Sequence, residues 1–137
     1  MAKIISYTKV IDAVTTKQLD VSGIEGAVEL CEIKGVTYVS VPDAVKVEEK
    51  VAAQDAAIEA KTPVVDEKLK AEIRDASYVV KFIKQQVRDK IREKYDLDDE
   101  LKLLRLRDKD ATAWAAFEAY VEACRAWGEA EIQKLGI

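Results

Sequence analysis

Glycine and proline divide this chain in two before any other pattern is read. Residues 66 to 135 hold one glycine, Gly128, and no proline, whereas residues 1 to 43 hold three of the five glycines and most of the β-branched density. A long stretch without breakers favours helix, and β-branched runs punctuated by glycine favour strands and tight turns. The expected fold class is α+β, mainly α, with an N-terminal β-hairpin region followed by a long-helix antiparallel helical hairpin. The expected domains are a β region over 1 to 43, a partly helical linker over 44 to 65, and a helical hairpin domain over 66 to 137. At 137 residues the chain can build a core without disulfides or metals.

The clearest β signal is the pair of runs Val28-Glu29-Leu30-Cys31-Glu32-Ile33 and Val36-Thr37-Tyr38-Val39-Ser40-Val41, joined by Lys34-Gly35. Two residues, the second a glycine able to take positive φ, make a tight hairpin over 28 to 41. In the second run Val36, Tyr38 and Ser40 share one face and Thr37, Val39 and Val41 the other. In the first, Val28, Leu30 and Glu32 oppose Glu29, Cys31 and Ile33. Pro42 is expected to end the pairing, because it cannot donate to a ladder. A lone hairpin is marginal in water, so the β-branched run over 3 to 11 is the expected third strand. Asp20 to Gly26 read as a turn or irregular connection.

Residues 44 to 61 are rich in Ala, Glu and Lys, with a thin stripe of Val47, Val51 and Ile58; they read as a solvated linker helix or one strand of a narrow coiled coil. Thr62-Pro63 interrupts them. Asp66 is then expected to cap one helix reaching Tyr95. Leu69, Ile73, Ala76, Val80, Ile83 and Val87 are spaced 4, 3, 4, 3, 4, an a/d seam on a helix of about 30 residues and about 45 Å. That length predicts protrusion or oligomeric packing. Asp98 is expected to cap a short helix over 98 to 105 that buries Leu101 and Leu104, with Leu103 beside them. The last helix, about 110 to 135, carries Trp114, Phe117, Val121, Cys124 and Ile132 on one side, broadened by Tyr120, Trp127 and Leu135, and is closed by Gly136.

Chemistry is constrained by what is missing. With no histidine there is no Ser-His-Asp or Cys-His machinery and no imidazole zinc site. A net charge of −4 disfavours nucleic acid, and no run approaches the ~20 apolar residues of a bilayer span, so neither nucleic acid nor membrane is an expected partner. Residues 1 to 7 are too short an apolar run for a signal peptide, which points to synthesis in the cytoplasm. Cys31 and Cys124 form no CxxC or zinc spacing and read as reduced, buried thiols, with a disulfide as the alternative. Asp96, Asp98, Asp99 and Glu100 lack the glycine and glutamate of a calcium loop and read as helix-capping acids. Glu118, Glu122, Glu129 and Glu131 read as a solvated face, and the bases between Lys81 and Lys109 are interleaved with acids that pair with them. Gly23 and Gly26 form no phosphate loop. The aromatic stripe of the last helix reads as core. No cofactor is implied.

Three stretches look familiar together: residues 28 to 43; Ile91-Arg92-Glu93-Lys94-Tyr95-Asp96-Leu97-Asp98-Asp99-Glu100-Leu101-Lys102-Leu103-Leu104-Arg105; and residues 116 to 128 followed by Lys134-Leu135-Gly136-Ile137. The arrangement resembles small proteins of tailed bacteriophages encoded near the tail-fibre and baseplate genes. The resemblance implies a non-enzymatic virion structural protein of the tail, made in the host cytoplasm, whose partners are other tail proteins. A tail-fibre assembly chaperone and a capsid or neck decoration protein are the alternatives; a small carboxylate enzyme is the rival from another class. The resemblance carries no catalytic residue with it. The expected interaction surface is the helical seam, Leu69, Ile73, Val80, Ile83 and Val87, together with Val36 and Tyr38 on the hairpin, whose edge would take a partner strand. The seam also predicts a homo-oligomer.

Overall fold

The computed structural model describes residues 2–11, 16–17, 21–46 and 60–137. Contacts gather them into two compact units, Met1–Val80 with Gln133–Ile137, and Lys81–Ile132. The first helix of the expected helical domain falls in the first unit, because it packs on the sheet. The expected linker stripe, Val47, Val51 and Ile58, lies outside the described residues.

In the first unit, strands β1 (Ala2–Thr8), β4 (Val28–Ile33) and β5 (Val36–Pro42) form an antiparallel sheet in the order β1-β5-β4, while β2 (Val10–Ile11) pairs with β3 (Thr16–Lys17). Residues 3 to 8 of the expected run thus supply the third strand, beside β5, whereas Val10 and Ile11 leave it to pair with β3. The hairpin turn is at Lys34 and Gly35, with φ of 50° and 80°, the two positive values that a right-twisted two-residue hairpin needs. Pro42 does not stop the pairing one residue early; it stands opposite Ala2 at the end of β5.

Both faces of the sheet are covered, which explains the imperfect alternation of β1. Ile4, Ile5, Ser6 and Tyr7 are consecutive and all buried. On one face Ile5, Tyr7, Val39 and Val41 cluster with Ile24 from the 21–26 connection. Helix α1 (Glu67–Ala76) packs on β4 and buries Ile73 completely. A bulge between Glu29 and Cys31 corrects the expected faces of the first hairpin run, because it lets the neighbours Leu30 and Cys31 both be buried. β1 is held at its outer side by paired hydrogen bonds of 2.8 Å between Ser6 and Lys61. At the other end of the sequence, Arg74 donates to the backbone oxygen of Ile137, and Gly136, at φ 90°, lies so close to Ala2 that a Cβ would stand 2.8 Å from the Ala2 carbonyl oxygen.

The single helix expected from 66 to 95 is two helices, α1 and α2 (Tyr78–Lys94), broken at Ser77. Ser77 has ψ 122°, its N–H donates to the Ile73 carbonyl at 2.8 Å, and its Oγ accepts from the Val80 N–H at 3.3 Å. One buried serine therefore ends α1 and caps α2. The seam periodicity continues straight through this break, and that continuity masked it.

In the second unit, α2 packs antiparallel on α4 (Ala111–Gln133), with α3 (Leu97–Leu106) in the connection. The pairs run in opposite order along the two helices: Val87 meets Gly128, Lys90 meets Trp127, and Tyr95 meets Phe117. Gly128 sets the spacing, since a Cβ there would stand 2.5 Å from Cγ2 of Val87. Tyr95 closes the far end edge-on to Phe117 with ring centroids 5.0 Å apart, and the Tyr120 hydroxyl donates to the Lys90 carbonyl at 2.9 Å. The aromatic side of α4 is thus packing surface within the unit, as its spacing indicates.

Candidate interaction surface

Helix α3 is built by its own first turn. Asp96, not Asp98, is the cap: its side chain accepts from the Asp99 N–H at 2.7 Å, and the Asp99 carboxylate accepts from the Asp96 N–H at 3.2 Å. This reciprocal pair satisfies two backbone donors, and Asp98, Asp99 and Glu100 lie where the helix dipole favours negative charge. Asp96 and Asp99 are thus employed in capping, and Glu100 pairs with Arg92. Among the described residues, no group of three or more acidic, cysteine or histidine side chains could hold a metal ion.

One flank of α3 is less exposed than the rest. Arg92 of α2 holds Glu100 at 2.7 Å, and Leu103, three residues on and on the same flank, is half-buried. This pattern corrects the expectation that Leu101 and Leu104 are buried. Leu97, Leu101 and Leu104, spaced i, i+4, i+7, are 58%, 49% and 44% exposed, and no residue of α3 is fully buried. A continuous leucine stripe therefore faces water. Single exposed leucines are ordinary, but three in one row on a well-capped helix form a continuous apolar face.

The residues expected to form the interaction surface are placed differently. Ile73 and Val80 are fully buried in the first unit, and Ile83 is buried and Val87 half-buried where α2 meets α4 in the second. Leu69 is half-buried on α1. The seam is consumed by folding, which removes the argument for an oligomer through it. Val36 and Tyr38 are half-buried on β5, the central strand, so their backbone is paired on both sides and offers no edge. The leucine stripe was visible in the sequence, but Leu97, Leu101, Leu103, Leu104 and Leu106 spread around the helix, and spacing alone does not say which of them face inward.

Two other features have chemistry worth weighing. In the first unit, Lys9 Nζ lies 3.1 Å from one oxygen of Glu29, and the Tyr78 hydroxyl donates to the other at 2.6 Å. Burial pushes the Glu29 carboxyl up, but the hydrogen bonds from Tyr78 and Lys9 outweigh it and hold the group below the ordinary carboxylate value. Burial and the Glu29 carboxylate push the Tyr78 hydroxyl and the Cys31 thiol up, while the hydrogen bond to Glu29 raises Lys9 against its own desolvation. Tyr78 and Cys31 stay protonated and Glu29 and Lys9 stay charged at neutral pH, so no proton is poised to move in this cluster. It was not singled out in the sequence because its members come from three separate elements.

In the second unit, a cleft of about 520 Å³ is lined by Ile91, Trp114, Phe117 and Val121, with Arg92, Glu100, Arg125 and Glu122 among its polar residues. Arg92 pairs with Glu100 and Arg125 with Glu122 at 3.1 Å, and with Arg88 and Glu118 the lining holds three bases and three acids, so the cleft presents no excess of one sign. Both cysteines are buried and free. Among the described residues no helix is long and apolar enough to cross a membrane. No protein family, no curated protein and no solved structure matches this chain.

Proposed function

We propose that this protein is a non-enzymatic structural component of a tailed bacteriophage virion, associated with the tail near its fibre or baseplate and acting by protein-protein assembly. The observation that carries the reading is the exposed leucine stripe of α3, a preformed apolar face on a helix stabilised independently by its cap. The resemblance of residues 28 to 43, 91 to 105, 116 to 128 and 134 to 137 to small tail-region proteins supplies the setting, and the stripe falls inside the second of those stretches. The partners are other tail proteins, and the place of action is the particle.

The same open stripe favours a second reading, a tail-fibre assembly chaperone, because a chaperone must expose its apolar face in the free protein. Peptide mass spectrometry on gradient-purified particles separates the two. Stoichiometric presence in the particle is the result expected for a structural component. Abundance in the infected lysate with absence from the particle supports the chaperone, and absence from both overturns the phage reading.

A further inference from the structure

We infer that the exposed face of α3 is an isologous dimer surface: α3 packs antiparallel on α3 of a second copy, with Asp98 of each copy against Arg105 of the other. The inference rests on reading this face as an assembly surface, and it names that face's partner.

The argument is one of self-complementarity. Leu97, Leu101 and Leu104 occupy successive seam positions of a heptad, and Asp98 and Arg105, seven residues apart, stand two turns apart on one flank of that seam. A two-fold axis relating two antiparallel, face-to-face helices keeps each flank on its own side and reverses direction along the helix. With the axis near Leu101, Leu97 of one copy lies against Leu104 of the other, and Leu101 lies beside its own counterpart. Asp98 and Arg105 are then each about 5 Å along the helix from the axis, in opposite directions, so they meet across the interface twice. The helix is polarised in the sense this requires, with its acids in the first turn and Arg105 in the last. A parallel pair would instead bring the two acidic first turns together, and Glu100 on the opposite flank is already held by Arg92. The antiparallel pair also opposes the helix dipoles.

One ten-residue helix face is smaller than the roughly 1,200 Å² of standard stable complexes, so the association is weak in free solution. Where an assembly holds copies side by side, effective concentrations reach the millimolar range and the same contact becomes populated.

Sedimentation equilibrium of the full-length chain, at concentrations up to several hundred micromolar, tests this. The wild-type mass is expected to rise toward twice the monomer, and Leu101→Glu to hold it at the monomer. Leu101→Gln serves as a milder second variant, and the helical circular dichroism of both should match wild type, since Leu101 is exposed. Asp98→Lys and Arg105→Glu should each weaken association by about fivefold or more, because each makes both charge pairs repulsive. An equimolar mixture of the two should recover it, since Lys then faces Glu and Arg faces Asp. A wild type that stays monomeric throughout, including one whose stripe is covered by another part of its own chain, would overturn the inference. So would dimerisation indifferent to Leu101→Glu, or a mixture that fails to recover. None of these results bears on presence in the particle, so the failure of this inference and that of the phage reading are separable.

Discussion

Gly128→Ala turns the closest approach of α2 and α4 into a measurable free energy. At an open helix position this substitution stabilises by up to about 1 kcal/mol, because alanine has less backbone entropy to lose and a better helix propensity. Here the new methyl would stand 2.5 Å from Cγ2 of Val87 and 3.8 Å from Cγ2 of Ile83. The first distance demands movement, and Val87 is poorly suited to give way, since a β-branched side chain in a helix has one strongly preferred rotamer. Overpacking of this kind costs about 1–3 kcal/mol. Set against a propensity gain of up to about 1 kcal/mol, the net expectation is a loss of up to about 2 kcal/mol. Val87→Ala supplies the control: the double variant should be more stable than the two single changes add up to, with a coupling of about 1–2 kcal/mol. Urea unfolding followed by tryptophan fluorescence reads the right unit, because both Trp114 and Trp127 lie on α4 within residues 81–132. A Gly128→Ala variant more stable than wild type, with additive behaviour in the double variant, would refute the close packing of these two helices.

Three further expectations concern the first unit. Thr37 Oγ1 is buried with no hydrogen-bond partner, so Thr37→Val, which keeps the shape and removes the hydroxyl, should raise stability by about 1 kcal/mol in chemical denaturation; a loss of that size would mean the hydroxyl is satisfied. Ser77→Ala removes the side-chain acceptor for the Val80 N–H and should cost about 1 kcal/mol, with helix content falling at the start of α2. The pH profile should fall away on both sides of neutrality. Glu29 has a folded-state pKa below its ordinary 4.5, so its contribution is present above that value and is lost as pH falls through the folded pKa. Cys31, Tyr78 and Lys9 are raised above their ordinary 9.0, 10.0 and 10.5, so theirs are present below those values and lost as pH rises past them. Thermal unfolding of Glu29→Gln across pH should show a shallower acid limb than wild type; an unchanged limb would remove Glu29 from the account.

The features most legible from the residues alone were those encoded by close neighbours in the chain. The scarcity of breakers after residue 66 announced the helices, Lys34-Gly35 announced the hairpin turn, and the acids around residue 96 announced a helix start, because turns and caps are made by neighbours in the chain. Ser77 belongs to this class too, but its local signal competes with a heptad pattern that runs unbroken from Leu69 to Val87. Tertiary structure decided which apolar surfaces were spent and which remained. Ile73 went to the sheet, and Ile83 and Val87 went to α4, so the seam that suggested an oligomer is interior. Glu100, paired with Arg92, and Leu103 form the less exposed flank of α3, and Leu97, Leu101 and Leu104 are left in water. A leucine's spacing records which helix face it shares. Whether that face is covered depends on residues brought near it only by the fold, and no local pattern carries that information.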